Sequence, residues 1–233
     1  MNLLPSRVKS SPIAVRVIPF LVFLCLTAAQ PMFGAAGKFW IYLAKTLVGG
    51  WLILEARPFI PEMRWRLSVV AVGAGVFGFV VWVGLEDFLR ALGVNPAFAV
   101  ITVKSSAAAW NPNEFFGEGS AMAWFFIAVR ILGSVLVVPA LEEVFFRSFV
   151  YRAIKQTDFE AVALGAFFPV PFLVTSLLFG FEHQEWLAGI LYGFICQGLV
   201  CWKKRLGDAV VAHAITNLLL GVYVVTQNAW KFW

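Results

Sequence analysis

The chain has 233 residues, 61% of them hydrophobic and 13% charged, with a mean hydropathy of +0.84. Soluble domains are about half apolar and about a quarter charged, so this composition excludes an ordinary water-soluble fold. It points to an all-α, polytopic membrane helix bundle forming one domain over 1–233. The net charge of +5 is not read as a nucleic-acid footprint, because most lysines and arginines fall between apolar runs, where they set topology.

The first apolar run, "VIPFLVFLCLTAA", follows Arg7, Lys9 and Arg16. Its polar lead is long and further apolar runs follow at once, so an uncleaved first span is expected rather than a signal peptide. Apolar runs fall at about 13–30, 39–54, 67–85, 121–141, 162–181, 187–201 and 207–226. They predict about seven transmembrane helices (six to eight), although some are shorter than the ~20 residues that cross ~30 Å of hydrocarbon. Pro31 ends the first run, and Pro58 and Pro61 sit in the connector "EARPFIPEMRWR". Residues 86–120, with "NPNEFFGEGS", read as an extramembrane loop carrying a short surface helix.

Four basic clusters fall on one side of a seven-span bundle: Arg7, Lys9 and Arg16; Arg57, Arg64 and Arg66; Arg152 and Lys155; and Lys203 to Arg205. The positive-inside rule makes that side cytoplasmic, with the N-terminus, and leaves the C-terminus and the 86–120 loop outside. Lys38, Lys45, Arg90 and Lys104 are exceptions. Cys25, Cys196 and Cys201 lie in apolar runs without a CxxC pair, which supports neither a redox motif nor a cysteine-rich zinc site.

Three polar clusters interrupt the apolar helices. In "PALEEVFFRSF", Glu143 and Arg147 are i and i+4, with the acid first, so they share a face. Glu142 is turned from Glu143 by about 100° and has Phe145 and Phe146 at i+3 and i+4. Its partner must come from another helix, or it must line a wet cavity. In "SLLFGFEHQEW", His183 lies four residues after Phe179, between Glu182 and Glu185. In "GDAVVAHAITNLLL", His213 and Asn217 are i and i+4 and point into the same space. Ionisable groups inside a membrane cost about 2.5–3.5 kcal/mol each on insertion scales and are functional candidates for that reason.

Each cluster alone has a plain reading: an ion pair for Glu143 and Arg147, a packing histidine, an interhelical hydrogen bond for His213 and Asn217, and solvated interfacial carboxylates for Glu182 and Glu185. Their convergence on three helices favours a site. Ser134, Ser148 and Thr216 lie near the motifs, but none has a histidine in helical register, and Thr216 faces away from Asn217.

"EEVFFR", "FGFEH" and "HAITN" follow the patterns Glu-Glu-x-x-x-Arg, Phe-x-x-x-His and His-x-x-x-Asn. In that order on three membrane segments they resemble the CPBP (CAAX protease and bacteriocin-processing) intramembrane endopeptidases, with a motif core over 139–221. "WLAGILYGF" is similar to the family too. The compact form and the ending "TNLLLGVYVVTQNAWKFW" resemble the bacterial branch associated with exosortase sorting systems. The resemblance implies a metal-independent, glutamic-type intramembrane peptidase without a cofactor, in the bacterial cytoplasmic (inner) membrane. Its partners would be the bilayer, a membrane-anchored protein or peptide substrate and an exosortase system. By the same resemblance Glu142 would activate water and His183 would hold and polarise it. His213 and Asn217 would stabilise the oxyanion, Glu143 and Arg147 would support the site, and Phe179 would pack it.

Two other functions compete. A zinc peptidase would use His183, His213 and Glu142 as ligands, which suits zinc chemically, although no HExxH is present. A non-catalytic transporter or chaperone would use the buried Glu and His as a proton relay, but no inverted repeat is visible in the sequence. Hydrolysis also demands that His183, at the end of the fifth run, meet Glu142 deep inside the fourth. That requires the turn after His183 to dip into the membrane or the helices to be offset, with Pro169 and Pro171 supplying a bend.

Overall fold

The computed structural model of the chain describes residues 4–93 and 110–233, without the side chain of Arg90. The rest of the expected 86–120 loop, including Lys104, lies outside the described residues. The described residues are helical, with no strand among them.

Five stretches are long and apolar enough to cross a membrane: Pro12–Phe59, Val69–Leu89, Ala121–Lys155, Trp186–Lys203 and Leu206–Gln227. The first has 48 residues, more than one crossing needs. It breaks in a 3-10 turn at Gln30–Phe33, where Pro31 removes a donor and Gly34 takes a φ of +70° that favours glycine. Helix α1 (Pro12–Ala29) starts at a Ser11 cap with Pro12 in its first turn, and α2 (Gly34–Ala56) folds back along it. Helix α3 is Val69–Ala91, and the short α4, Pro112–Phe116, lies in the expected surface loop. Helix α5 is one continuous rod, Ala121–Lys155, of 35 residues.

The run 162–181 is not helical throughout. Helix α6 spans only Pro169–Phe181, 13 residues and about 20 Å. Pro169 sits in its first turn, where a missing N–H costs nothing, so the prolines start the helix instead of bending it. Helix α7 (Trp186–Lys203) returns along α6, and α8 (Leu206–Gln227) closes the bundle against α3. The α6–α7 hairpin enters from one end of the bundle and turns at 182–185 before it has crossed. His183 is therefore brought to membrane depth by a short helix. About seven spans were expected; five stretches qualify, one of which doubles back.

The four basic clusters gather at one end. Arg16 and Arg152 both donate to Glu62 Oε1, at 2.8 and 2.9 Å, beside Ser148. Arg205 and Ser68 both reach Asp208, and Lys204 Nζ donates to the Gly165 carbonyl. The opposite end is an aromatic knot of Phe39, Tyr42, Trp110, Phe116, Phe126 and Trp233. Arg130 lies there, 4.7 to 5.3 Å from the rings of Trp110, Tyr42 and Trp233. Leu47, Leu54, Phe77, Val80, Leu173 and Leu218 are exposed on the flanks. A bilayer covers such an apolar belt, and the chain is a multi-pass membrane protein.

Candidate active site

The site begins with a missing hydrogen on α5. The rod widens into a π-helix at Gly133–Val137, where the Val138 N–H bonds back to Gly133 O. The Ser134 carbonyl thus loses its usual i+4 donor, and its i+5 residue is Pro139, which has no N–H. The vacant carbonyl is filled from another helix: Asn217 Nδ2 donates to Ser134 O at 2.7 Å. Asn217 is therefore anchored, with one N–H of its amide left over.

Beyond Pro139 come Glu142 and Glu143, both buried, on the α-helical turn Val138–Glu143. A second π segment, Val144–Val150, carries Arg147. Glu143 is engaged on both oxygens. Oε1 faces His213 Nδ1 at 2.9 Å, and Oε2 lies 3.3 Å from Arg147 Nε. The second contact is an ion pair without hydrogen-bond geometry, since among the described residues no guanidinium nitrogen of Arg147 has a hydrogen-bond partner. The guanidinium rests instead over the Phe179 ring at 4.4 Å. Phe179 is fully buried and also touches His183 and His213, with ring centroids at 4.8 and 5.9 Å. One aromatic ring thus spaces the cation and both histidines.

Glu142 differs from its neighbour. Its Oε2 is buried without a hydrogen bond and lies 4.0 Å from His213 Nε2. Glu143 and Glu142 therefore address opposite nitrogens of one imidazole. A carboxylate only accepts, so His213 carries its proton on Nδ1 toward Glu143. His183 Nδ1 faces the Phe179 carbonyl at 2.8 Å. A carbonyl also only accepts, so Nδ1 donates and Nε2 keeps a free lone pair. Trp82 of α3 covers the His183 ring at 5.2 Å.

The structure brings together Glu142, Glu143, Arg147, Phe179, His183 and His213, with Asn217 one turn beyond His213. Three participants were not read from the sequence. Trp82 and Tyr192 pack against the histidines, and Ser134 holds Asn217. Thr216 turns away from Asn217 and donates to Gly75 O at 2.7 Å. Gly75 allows that approach, since a Cβ there would meet the Ala212 carbonyl. Pro139, five residues after Ser134, was the available signal for the freed carbonyl.

Glu182, expected to be interfacial and solvated, is half-buried. Its Oε2 is buried without a hydrogen bond, and its charge acts on Glu142 and feels Arg147. Placing the hairpin tip inside the bundle carries Glu182 inward with His183. Among the described residues, no three His, Cys, Asp or Glu side chains are grouped to hold a metal ion.

Residues 123–219 match the family described as Rce1-like: Type II CAAX prenyl endopeptidase Rce1-like. This region of the chain is similar to that family. No curated protein and no solved structure matches the chain. The Rce1-like region runs from α5 into α8 and contains all three motifs. It supports a CAAX-type intramembrane endopeptidase, acting on a membrane-associated substrate.

Proposed function

We propose that the protein is a glutamic-type intramembrane endopeptidase that hydrolyses a peptide bond in a membrane-anchored protein, with Glu142 as the base. The observation that carries this reading is the contrast within one dyad. Glu143 is held by His213 Nδ1 at 2.9 Å on Oε1 and by the Arg147 charge at 3.3 Å on Oε2. Glu142 has no cation that close and faces His213 Nε2 at 4.0 Å, although Oε2 of either glutamate makes no hydrogen bond among the described residues.

The chemistry follows from the proton positions. A water molecule offers two O–H groups. Glu142 accepts one and the lone pair of His183 Nε2 accepts the other, which aims the water oxygen at the substrate carbonyl. As the C–O bond forms, Glu142 takes a water proton. The oxyanion lies against His213 Nε2 and the remaining Asn217 N–H. Because Nδ1–H is committed to Glu143, Nε2 can donate only in the imidazolium form, whose charge Glu143 balances. Glu142 then returns its proton to the leaving amine as the C–N bond breaks. Each oxyanion donor is worth about 3 kcal/mol of transition-state stabilisation, by the measured cost of removing one. Glu143 and Arg147 position His213, and Phe179 spaces the histidines.

The reading extends to one domain over 1–233 with its motif core at 139–221, in the bacterial cytoplasmic membrane. The gathering of the basic clusters at one end supports a cytoplasmic N-terminus. An exosortase partnership rests on the sequence resemblance alone. The test is cleavage of a membrane-anchored peptide by the purified protein in detergent, with and without 1,10-phenanthroline, beside Glu142→Ala. Loss with Glu142→Ala and indifference to the chelator are expected. Loss with chelator, restored by zinc, would transfer Glu142, His183 and His213 to metal ligation. Cleavage unaffected by Glu142→Ala would end the mechanism.

A further inference from the structure

His213 is held through its Nδ1–H, which donates to Glu143 Oε1 at 2.9 Å. One hydrogen bond fixes a distance but leaves the imidazole free to tilt about it, so other contacts decide where Nε2 points. Two aromatic rings flank the imidazole at nearly right angles. Their centroids lie 5.5 Å away for Tyr192 and 5.9 Å for Phe179. Phenylalanine offers packing only, whereas Tyr192, fully buried, also carries a hydroxyl.

That hydroxyl reaches Thr216, whose Oγ1 is 2.9 Å from the Tyr192 oxygen and 2.7 Å from the Gly75 carbonyl oxygen. Thr216 has a single hydroxyl hydrogen and the carbonyl only accepts. Thr216 therefore donates to Gly75 O, and Tyr192 donates to Thr216 Oγ1. Thr216 lies three residues after His213 on α8, so Tyr192 is fastened one turn along the helix from the imidazole it touches. From the other side α3 closes on the phenol ring. A Cβ at Gly78 would come within 2.2 Å of it, so only glycine leaves the ring in its present place. Trp82, one turn further along α3, meets the ring at 6.2 Å. Helix α3 lies outside residues 123–219, which match the family, yet it supports this ring.

We propose that Tyr192 is a positioning residue for His213: anchored through Thr216 to α3, its ring sets the tilt of the imidazole and so the direction of Nε2. The catalytic meaning of that direction rests on the peptidase reading above, in which Nε2 meets the oxyanion. A tilt that kept the Glu143 bond but swung Nε2 aside would leave substrate binding intact and the oxyanion short of one donor. Tyr192 acts through the histidine and makes no bond to the substrate.

The experiment reads His213 directly. The chain has two histidines, so isotopic nitrogen labelling of the imidazoles in the purified full-length protein gives two sets of ring signals by magnetic resonance in detergent. His183, held by the Phe179 carbonyl, is the internal reference. Tyr192→Phe keeps the ring and removes its anchor. The His213 signals should change from one tautomer to a mixture, with those of His183 unmoved. In cleavage of a membrane-anchored peptide, kcat should fall about ten-fold with KM within about two-fold, a partial misplacement of one group. Thr216→Val removes the anchor from its other end and should act alike. The double variant should cost no more than the larger single loss, because both changes break one connection. Gly78→Ala presses on the same ring and should also move the His213 signals. His213 signals unchanged in Tyr192→Phe and Thr216→Val would overturn the proposal, whatever the rate. So would equal displacement of both histidines with a lower unfolding temperature, the pattern of a general packing defect. His213 signals that respond as expected while even the unmodified protein cleaves nothing would keep the brace and count against the peptidase reading.

Discussion

Glu62 and Glu142 are both carboxylates removed from bulk water, at two levels of the same bundle, and they are treated in opposite ways. Glu62, at the basic end, accepts from Arg16, Arg152 and the Ser148 hydroxyl. Burial by itself would raise its carboxyl, but Ser148 and Arg16 outweigh that and hold it below the ordinary value. Glu142, beside His213, has a buried oxygen with no hydrogen bond among the described residues. A buried charge whose partners are complete ties elements together. A buried charge whose partners are absent costs stability and is available to a substrate.

That contrast can be broken by substitution. Glu142→Gln should lower cleavage by about a thousand-fold, the scale of a lost general base, while unfolding in detergent stays at or above the unmodified level. Unfolding at a markedly lower temperature would place Glu142 with Glu62 as a structural group. Glu62→Gln should do the reverse, destabilising by about 3 kcal/mol because Arg16 and Arg152 are left buried beside a neutral amide. Its kcat per folded molecule should not change.

Asn217→Ala should show both signatures. A rate loss of about a hundred-fold is expected for one oxyanion donor, with a stability loss of about 1 kcal/mol from the orphaned Ser134 carbonyl. A rate loss with no change in stability would separate Asn217 from the π segment.

The smallest effect concerns acid. Because the folded Glu62 carboxyl is held below its ordinary value of 4.5, its contribution is fully present above that pH and is lost as pH falls through the folded value. Stability of the unmodified protein should therefore drop on acidification below about 4.5. Glu62→Gln should lack that component, and parallel pH curves for the two proteins would count against it.

Much of the architecture was legible because the signals were local. The runs 187–201 and 207–226 lie within two residues of α7 and α8. Glu143 and Arg147 pair across one turn, as their spacing implied, and Glu142 is the odd carboxylate. What stayed hidden depends on contacts between distant segments. No local pattern links Glu143 to His213, 70 residues away. Glu182 looks solvated in a polar turn, and its half-buried position with one enclosed oxygen follows from how the α6–α7 hairpin packs. The 162–181 run was read as a full span because apolarity alone does not distinguish helix from the extended approach before Pro169. The π segments of α5 were invisible for a similar reason: their hydrogen bonds are set one residue wider than the helical period used to read the sequence.

Pro139 has a consequence that concerns phase. A π segment holds one more residue per turn than an α-helix, so restoring α geometry across 133–137 would turn everything after it by about 100°. Glu142 would then point where another side chain now points, and His213 would face a different residue of α5. Pro139 acts like the keyway on a shaft. By withholding one N–H it fixes the angle at which the rest of α5 is mounted, and with it which nitrogen of His213 each of the two adjacent glutamates meets.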